Sequence, residues 1–453
     1  MSTMSSASRR DLPPGPRTPP AWNLLRFTRR PIETLLEWQA RYGDIFTVSY
    51  TGFGTGVYVA DPEAIRQLFT GDQSDLLAGE ANSFMEPVLG SHSVIVLDGS
   101  EHLRQRKLLL APFQGSRVAA FREVIRGVAE RELAQWQPGR RLAVRERMRA
   151  LTFEVICRAV FGITEPARVA QLQATFSALI DSSPLYVVSA ALRRDLGPLS
   201  PGRRFQTRIK AADSLLLEEI ERRRGVGDLD QRSDVLSLLL CARDEQGEAM
   251  TDAELRDELF TMLAAGHETT STALAFAFEL LLRDERVLCR LREELDAGED
   301  AYLDAVVKET LRLRPIIDAA ERTLTAPRMV AGWQLPAGTK VYPGTLLVQM
   351  REDLYPAPNS FQPERFLDGT VESYAWLPFG GGIRRCIGAA LAQAEMAEVL
   401  RAAVSSLSLA PVRPEPDPVV LHGITLIPKH GVEVTVQSRL APARREPLAA
   451  AAA

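Results

Sequence analysis

One cysteine in this chain sits where sulfur chemistry is favoured. It is Cys386, in the run Leu377-Pro-Phe-Gly-Gly-Gly-Ile-Arg-Arg-Cys-Ile-Gly388. The three consecutive glycines, Gly380 to Gly382, carry no Cβ, so the backbone can lie flat against a large planar object. Ala389 to Leu400 is a strong helix-forming run. Cys386 therefore precedes a helix N-terminus, whose dipole and free amide N–H groups stabilise a thiolate. Arg384 and Arg385 add positive charge beside it. A sheltered, low-pKa thiolate beneath a flat surface suits an axial sulfur ligand to a metal in a planar group. The blander reading is a glycine turn with a buried, inert cysteine, and Cys386 alone supports no more. Phe379, Gly382, Arg384, Cys386 and Gly388 together form F-x-x-G-x-R-x-C-x-G, which is a specific pattern.

A second chemical stretch is Ala264-Ala-Gly-His-Glu-Thr-Thr270. Gly266 in a helix interior costs about 1 kcal/mol relative to Ala. Thr269 can bond back to the carbonyl of Ala265 and loosen the helical ladder. The pair would open a groove for water or dioxygen, with Glu268 and Thr269 supplying an acid and a hydroxyl for passing protons. The alternative is a polar patch at a kink. His267 reads as a satisfied structural histidine.

These motifs, in this order, resemble those of the cytochrome P-450 family of haem-thiolate monooxygenases, over roughly residues 12 to 438. The resemblance implies haem b as cofactor and dioxygen as co-substrate. Cys386 would be the iron ligand, with Gly380 and Gly388 in its loop. Phe379 would pack near the sulfur, and Arg384 would meet a haem propionate. Ala265, Gly266, Glu268 and Thr269 would support oxygen activation. His102 and Arg106 are four apart and share a helix face; they are either a solvated basic face or, as in the family's H-x-x-x-R helix, a propionate anchor. Arg322 matches the family's propionate-binding arginine. Glu309, Arg312 and Arg365 match its buried structural network. Phe84, Met85, Val88 and Leu89 lie in an irregular, apolar connection, Asp72 to Gly99, that lines the family's pocket. Ala264, Ala265, Ile316, Ile317, Ala319 and Ile424 complete the expected pocket. Asp318 is either a partner for a basic substrate group or a solvated loop carboxylate. One departure is Met350, where the family usually places a His before Arg351.

The elements that position these residues follow from the pattern. Ile32 to Tyr42 reads as an amphipathic helix, Ile45–Tyr50 and Gly56–Ala60 as strands, and Asp61-Pro62 as the cap of a short helix. Glu101 opens another helix. Helical patterns run from Arg117 to Gly162, Glu165 to Ser182 and Arg203 to Arg224. Thr251-Asp-Ala-Glu254 is a capping box for a helix reaching about Arg283. Ala301 to Leu313 is helical, Gly332 to Val341 hairpin-like, and His422–Ile427 with Gly431–Val436 form a final sheet. The fold class expected is mainly α with small β-sheets. In family terms it is a P-450 fold, with haem between the long central helix and the cysteine-loop helix. A single catalytic domain is expected over 12–438, with a β-rich lobe near 43–70 and 316–350 and disordered ends at 1–11 and 439–453.

The 453 residues, 45% of them hydrophobic, can bury a large core, and the net charge of −4 includes no basic block of the kind that binds nucleic acid. Cys157, Cys241, Cys289 and Cys386 form no C-x-x-C pair, so neither a disulfide framework nor a zinc site is indicated and a reducing compartment is expected. Met1 to Arg30 holds no apolar run fit for a signal peptide or membrane span. Leu12 to Pro20 resembles the proline-rich hinge behind the anchor of microsomal family members, with no anchor before it. A soluble, cytoplasmic, monomeric, bacterial-type enzyme is expected. It would insert one oxygen atom from dioxygen into a C–H or C=C bond of a lipophilic substrate, a fatty acid or terpenoid before a steroid or polyketide. Electrons would come from a separate ferredoxin or flavodoxin with its NAD(P)H reductase, docking on Arg104, Arg106, Lys107, Arg384 and Arg385. The alternatives are a hydrogen peroxide-driven peroxygenase and a non-catalytic haem-thiolate gas or redox sensor.

Overall fold

The molecule is built on one long helix. Thr251 caps it, accepting from the Glu254 N–H while the Glu254 side chain accepts from the Thr251 N–H, and the helix runs over Asp252–Arg283, 32 residues. At about 1.5 Å per residue it spans roughly 48 Å. Most of it is buried, and its C-terminal half from Ala273 to Leu281 is almost wholly apolar, as an enclosed helix segment is. Its principal partner is the helix Val144–Ala159, and it also packs on Ala389–Ser406, Pro201–Arg224 and Ala301–Leu313. The computed structural model describes residues 12–440 except 114–115, 182–189, 198, 370 and 373. Residues 1–11 and 441–453 of the expected disordered ends, and part of the segment from Pro184 to Gly202, lie outside the described residues; Arg439, expected in the tail, ends a strand.

Mainly α with small sheets is what the structure shows. The largest sheet has five strands in the order Ile45–Tyr50, Gly54–Val59, Lys340–Pro343, Arg322–Leu324 and Leu76–Leu77. Gly54–Val59 pairs antiparallel with the first strand (Ile45 opposite Val59) and parallel with Lys340–Pro343 (Gly56 opposite Lys340). A Cβ on Gly56 would collide with the Tyr342 ring, so glycine makes room for an aromatic cluster under this sheet. Asp61 caps the helix Pro62–Thr70 as expected, accepting from the Ala64 N–H at 2.7 Å. The helix Ala301–Leu313 also matches its sequence reading.

Four readings need correction. A helix Pro20–Arg29 precedes Pro31–Tyr42, with Pro20 at its first position, where proline is tolerated. The helical run from Arg117 to Gly162 is interrupted: Ser116–Ala134 and Val144–Ala159 flank a strand, Arg141–Ala143, behind the Pro138-Gly139 turn. The connection from Asp72 to Gly99 is not irregular throughout; it contains Leu76–Leu77 and the short helices Ala78–Ala81 and Glu86–Leu89. The two C-terminal segments do not share a sheet. Val419–His422 pairs with Thr425–Pro428 as a hairpin, while Glu433–Arg439 lies between Arg141–Ala143 and Leu407–Pro411.

Candidate active site

The loop before Cys386 is shaped by backbone bonds. The Gly380 N–H donates to the Leu377 carbonyl at 2.9 Å, and the Cys386 N–H donates to the Phe379 carbonyl at 2.9 Å. Gly380 and Gly382 have φ of 66° and 63°, the left-handed region that glycine reaches without strain. The glycines serve the protein as well as any planar ligand. A Cβ on Gly382 would strike the Phe69 backbone carbonyl, and one on Gly381 would come to 2.7 Å of the Phe69 ring. Glycine is required here so that the loop can lie on the end of helix Pro62–Thr70, a reason the expected flat ligand surface did not include.

Phe379 is fixed from behind. Its ring meets Trp376 edge-on at 6.0 Å, and the Trp376 Nε1–H donates to the Lys308 carbonyl at 3.1 Å. Leu377 N–H donates to Gln349 Oε1 at 2.8 Å, and the Gln349 amide donates to the carbonyls of Leu311 and Arg312. These bonds join the loop to a buried ionic network. Arg312 grips Glu309 through two nitrogens, at 2.6 and 2.8 Å, and both side chains are fully buried. Arg365 approaches the same carboxylate at 3.4 Å. Met350, standing where a His was expected, is buried beside this network.

Cys386 remains accessible although protein surrounds it, three positions before the start of the helix Ala389–Ser406. The expectation of a low-pKa thiol is not met by the polypeptide alone. Burial pushes the Cys386 thiol up; a Gly388 N–H bond, Arg385 and Arg106 oppose this without overcoming it. Among the described residues no cluster of three or more His, Cys, Asp or Glu could hold a metal ion. A metal on this single sulfur must bring its other ligands with it.

Such a group would need anions, because basic side chains converge nearby. His102 is buried, and burial followed by Arg384, Arg106 and Arg322 holds its pKa down to about 3. Arg322 is buried and pushed down to about 10, by burial and then by Arg384; its Nε has no hydrogen-bond partner among the described residues. Arg384 is likewise held down to about 10 by burial, although Asp98 pairs with it at 2.5 Å. Arg106 donates to the Arg385 carbonyl at 2.7 Å, which ties this cluster to the cysteine loop. Three arginines and a histidine with Asp98 as the salt-bridged acid form a site for further negative charge. A planar group carrying two carboxylates and one iron fits these residues.

The central helix behaves differently from its sequence reading. Thr269 Oγ1 donates to the Ala265 carbonyl at 2.6 Å, as expected. Ala265 is exposed although most of the surrounding helix is buried, so it fronts an internal cleft. The helix is unbroken at Gly266, however, where a Cβ would lie 2.6 Å from Ile156 Cδ1. Gly266 therefore admits a neighbouring helix, a packing reason the motif itself did not indicate. Glu268 is held by that same helix: it pairs with Arg145 and, at 2.9 Å, with Arg149. Sequence reasoning missed both arginines, as well as Asp98, whose carboxylate also accepts the N–H groups of Ala78, Gly79 and Glu80. Only the position of Asp98 just before a helix hinted at a cap, and it caps a different one. His267 is structural, its Nδ1 2.6 Å from the Leu263 carbonyl.

Among the expected pocket residues, Val88, Leu89 and Ile316 are buried in the core. Phe84, Met85, Ala264, Ala265, Ile317, Ala319 and Ile424 keep open surface. Of the expected docking cations, Arg104 is already engaged with Asp244 and Glu254, both at 2.5 Å, and Lys107 with Glu245 at 2.6 Å. Arg385 is exposed and forms no ion pair among the described residues.

Comparison with known proteins agrees with this geometry. The family model described as Cytochrome P450 matches residues 12–435. A Mycobacterium tuberculosis protein named cytochrome P450 135B1 is 38% identical over 441 residues, covering 96% of this chain and 93% of that protein. Cytochrome P450 137 of the same organism is 37% identical, covering 89% and 84%. Among solved structures, retinoic acid-bound cyanobacterial CYP120A1 is 26% identical with a TM-score of 0.78, covering 89% of this chain and 93% of that one. The cytochrome P450DA haem domain, 22% identical with a TM-score of 0.82 and covering 94% and 97%, shares the fold. The cysteine loop, the basic cluster and a match along nearly the whole chain give one conclusion: the protein belongs to the cytochrome P450 family, an enzyme of the haem-thiolate monooxygenase class.

Proposed function

We propose that Cys386 ligates haem b and that the enzyme oxygenates a lipophilic small molecule. The convergence of His102, Arg106, Arg322 and Arg384 beside the cysteine loop carries this reading. His102, Arg106, Arg322 and Arg384 would hold the propionates, and Phe379 would shield the sulfur. When bound, haem supplies dioxygen activation and transfer of one oxygen atom to a C–H or C=C bond.

The chain's own residues then position and exclude. The Thr269 hydroxyl proton is committed to the Ala265 carbonyl. Its oxygen is thereby left as an acceptor for a donor in the cleft. Glu268 passes a proton only after releasing Arg149 or Arg145. Phe84, Met85, Ala264, Ile317 and Ala319 offer an apolar surface that keeps water out. The apolar character of the substrate is further supported by similarity to a structure that holds retinoic acid. Electrons come from a separate ferredoxin or flavodoxin, with Arg385 as the free cation of the docking face.

The test is the absorption spectrum of the reduced protein under carbon monoxide. A strongly red-shifted Soret band, abolished by Cys386→Ser, is expected. The same Soret position in wild type and Cys386→Ser overturns the ligand assignment.

A further inference from the structure

Asp318 is not the solvated loop carboxylate that one reading of the sequence allowed. It lies deep in the fold, in the run from Pro315 to Arg322 that leads to the basic cluster, yet it keeps open surface. The residues around it are enclosed: Tyr58 donates to Asp318 Oδ2 at 3.1 Å, and Tyr50, Tyr58 and Tyr342 are all buried. Asp318 thus keeps an open side where its tyrosine neighbours have none. Ile317, Ala319 and Ala320, also half-exposed, line the same run. Asp318 forms no ion pair among the described residues, whereas the neighbouring Glu321 is neutralised by Lys340 at 2.8 Å. A buried carboxylate without a cation is a costly arrangement. The Tyr58 phenol and the residue's own backbone N–H bond the carboxylate, and no cation among the described residues balances its charge.

We propose that Asp318, oriented by Tyr58, is a specificity-determining residue that selects substrates carrying a cationic or hydrogen-bond-donating group and rejects carboxylates. The inference rests on the proposed haem-thiolate function and names the polar end of its lipophilic substrate. The counter-charge that the protein omits is supplied by the ligand. A fatty-acid carboxylate placed at the same wall meets like charge, which ranks fatty acids below lipophilic amines and alcohols.

The facing groups keep the test simple. Tyr50, Tyr58 and Tyr342 are pushed well above the usual phenol range by burial and stay neutral. Glu321, raised by burial, retains its partner Lys340. Asp318 itself is raised to about 6, by burial first. Cation selection should therefore be full above pH 7 and fade below pH 6.

The experiment uses haem-loaded protein and three twelve-carbon probes: dodecyltrimethylammonium, 1-dodecanol and dodecanoate. A quaternary ammonium has no lone pair for iron, so binding is read from the Soret spin-state shift. Wild type at pH 7.5 should bind the ammonium at least about tenfold more tightly than dodecanoate, the ratio of a 1.4 kcal/mol difference. Asp318→Asn should erase that preference while leaving 1-dodecanol within about twofold, and Tyr58→Phe should weaken it. A charge ratio unchanged in Asp318→Asn, or no ammonium binding by wild type, overturns the proposal. Lowered thermal stability of Asp318→Asn at pH 7.5 would mark a merely structural carboxylate and also overturn it. Failure of the proposed function is seen separately, as a missing thiolate Soret band under carbon monoxide.

Discussion

Glu268 is held between Arg145 and Arg149 from the neighbouring helix, so its first task is structural. Glu268→Gln leaves the partly buried Arg145 guanidinium without its counter-charge, while Arg149 keeps Asp181 at 2.8 Å. We expect a loss of about 2–4 kcal/mol in denaturant unfolding. Thr269→Ala should cost no more than about 1 kcal/mol, and act instead on the fraction of consumed dioxygen that reaches product. Equal stability losses would show that the ion pairs contribute little. Asp318 gives the opposite sign. Its folded pKa of about 6 lies above the ordinary carboxylate value, so the folded state binds the extra proton. Stability is undiminished below about pH 4 and falls as pH rises through 6. Asp318→Asn should therefore match wild type at pH 4 and exceed it above pH 7, by on the order of 2 kcal/mol, in thermal melts. None of these pairings had a local signal. Glu268 and its arginines are more than a hundred positions apart, and Tyr58 stands 260 positions from Asp318. Cys386 and the Glu309–Arg312 pair were legible because their partners are close in sequence.

At the scale of elements, caps and composition carried the long helices. Thr251-Asp-Ala-Glu254 fixed one start, and Ala301–Leu313 needed no distant information. Strands fared worse, since Arg141–Ala143 has no periodicity of its own and forms only against Glu433–Arg439. Gly266 shows how an element-level reason can hide behind a catalytic motif. Its missing Cβ admits Ile156. Gly266→Ala should destabilise by about 1–3 kcal/mol through overpacking. In an Ile156→Ala background the same change should be neutral or stabilising by about 1 kcal/mol, a coupling measurable by a double-mutant cycle. Additive effects would mean that the two helices do not press on each other here.

Across the whole molecule, charge is spent internally before it is offered outward. Arg104 braces Asp244 and Glu254 at the start of the central helix, so reversing it should unfold that corner before it affects any partner. Arg385→Glu is the cleaner probe. Reduction by ferredoxin should slow and lose much of its salt dependence, with dithionite reduction unchanged; an unaltered salt slope would remove Arg385 from the docking face. No helix among the described residues is long and apolar enough to cross a membrane. The last described strand has a consequence for how the chain is made. Glu433–Arg439 completes the sheet begun at Arg141–Ala143, and Arg439 donates to the carbonyls of Leu133 and Ala134 at the end of helix Ser116–Ala134. A growing chain emerging from the ribosome carries that helix end and sheet edge open through almost three hundred further residues of synthesis. Closure waits for Glu433–Arg439 to appear, and until then the open edge is a place for chaperones to hold or for neighbouring chains to pair.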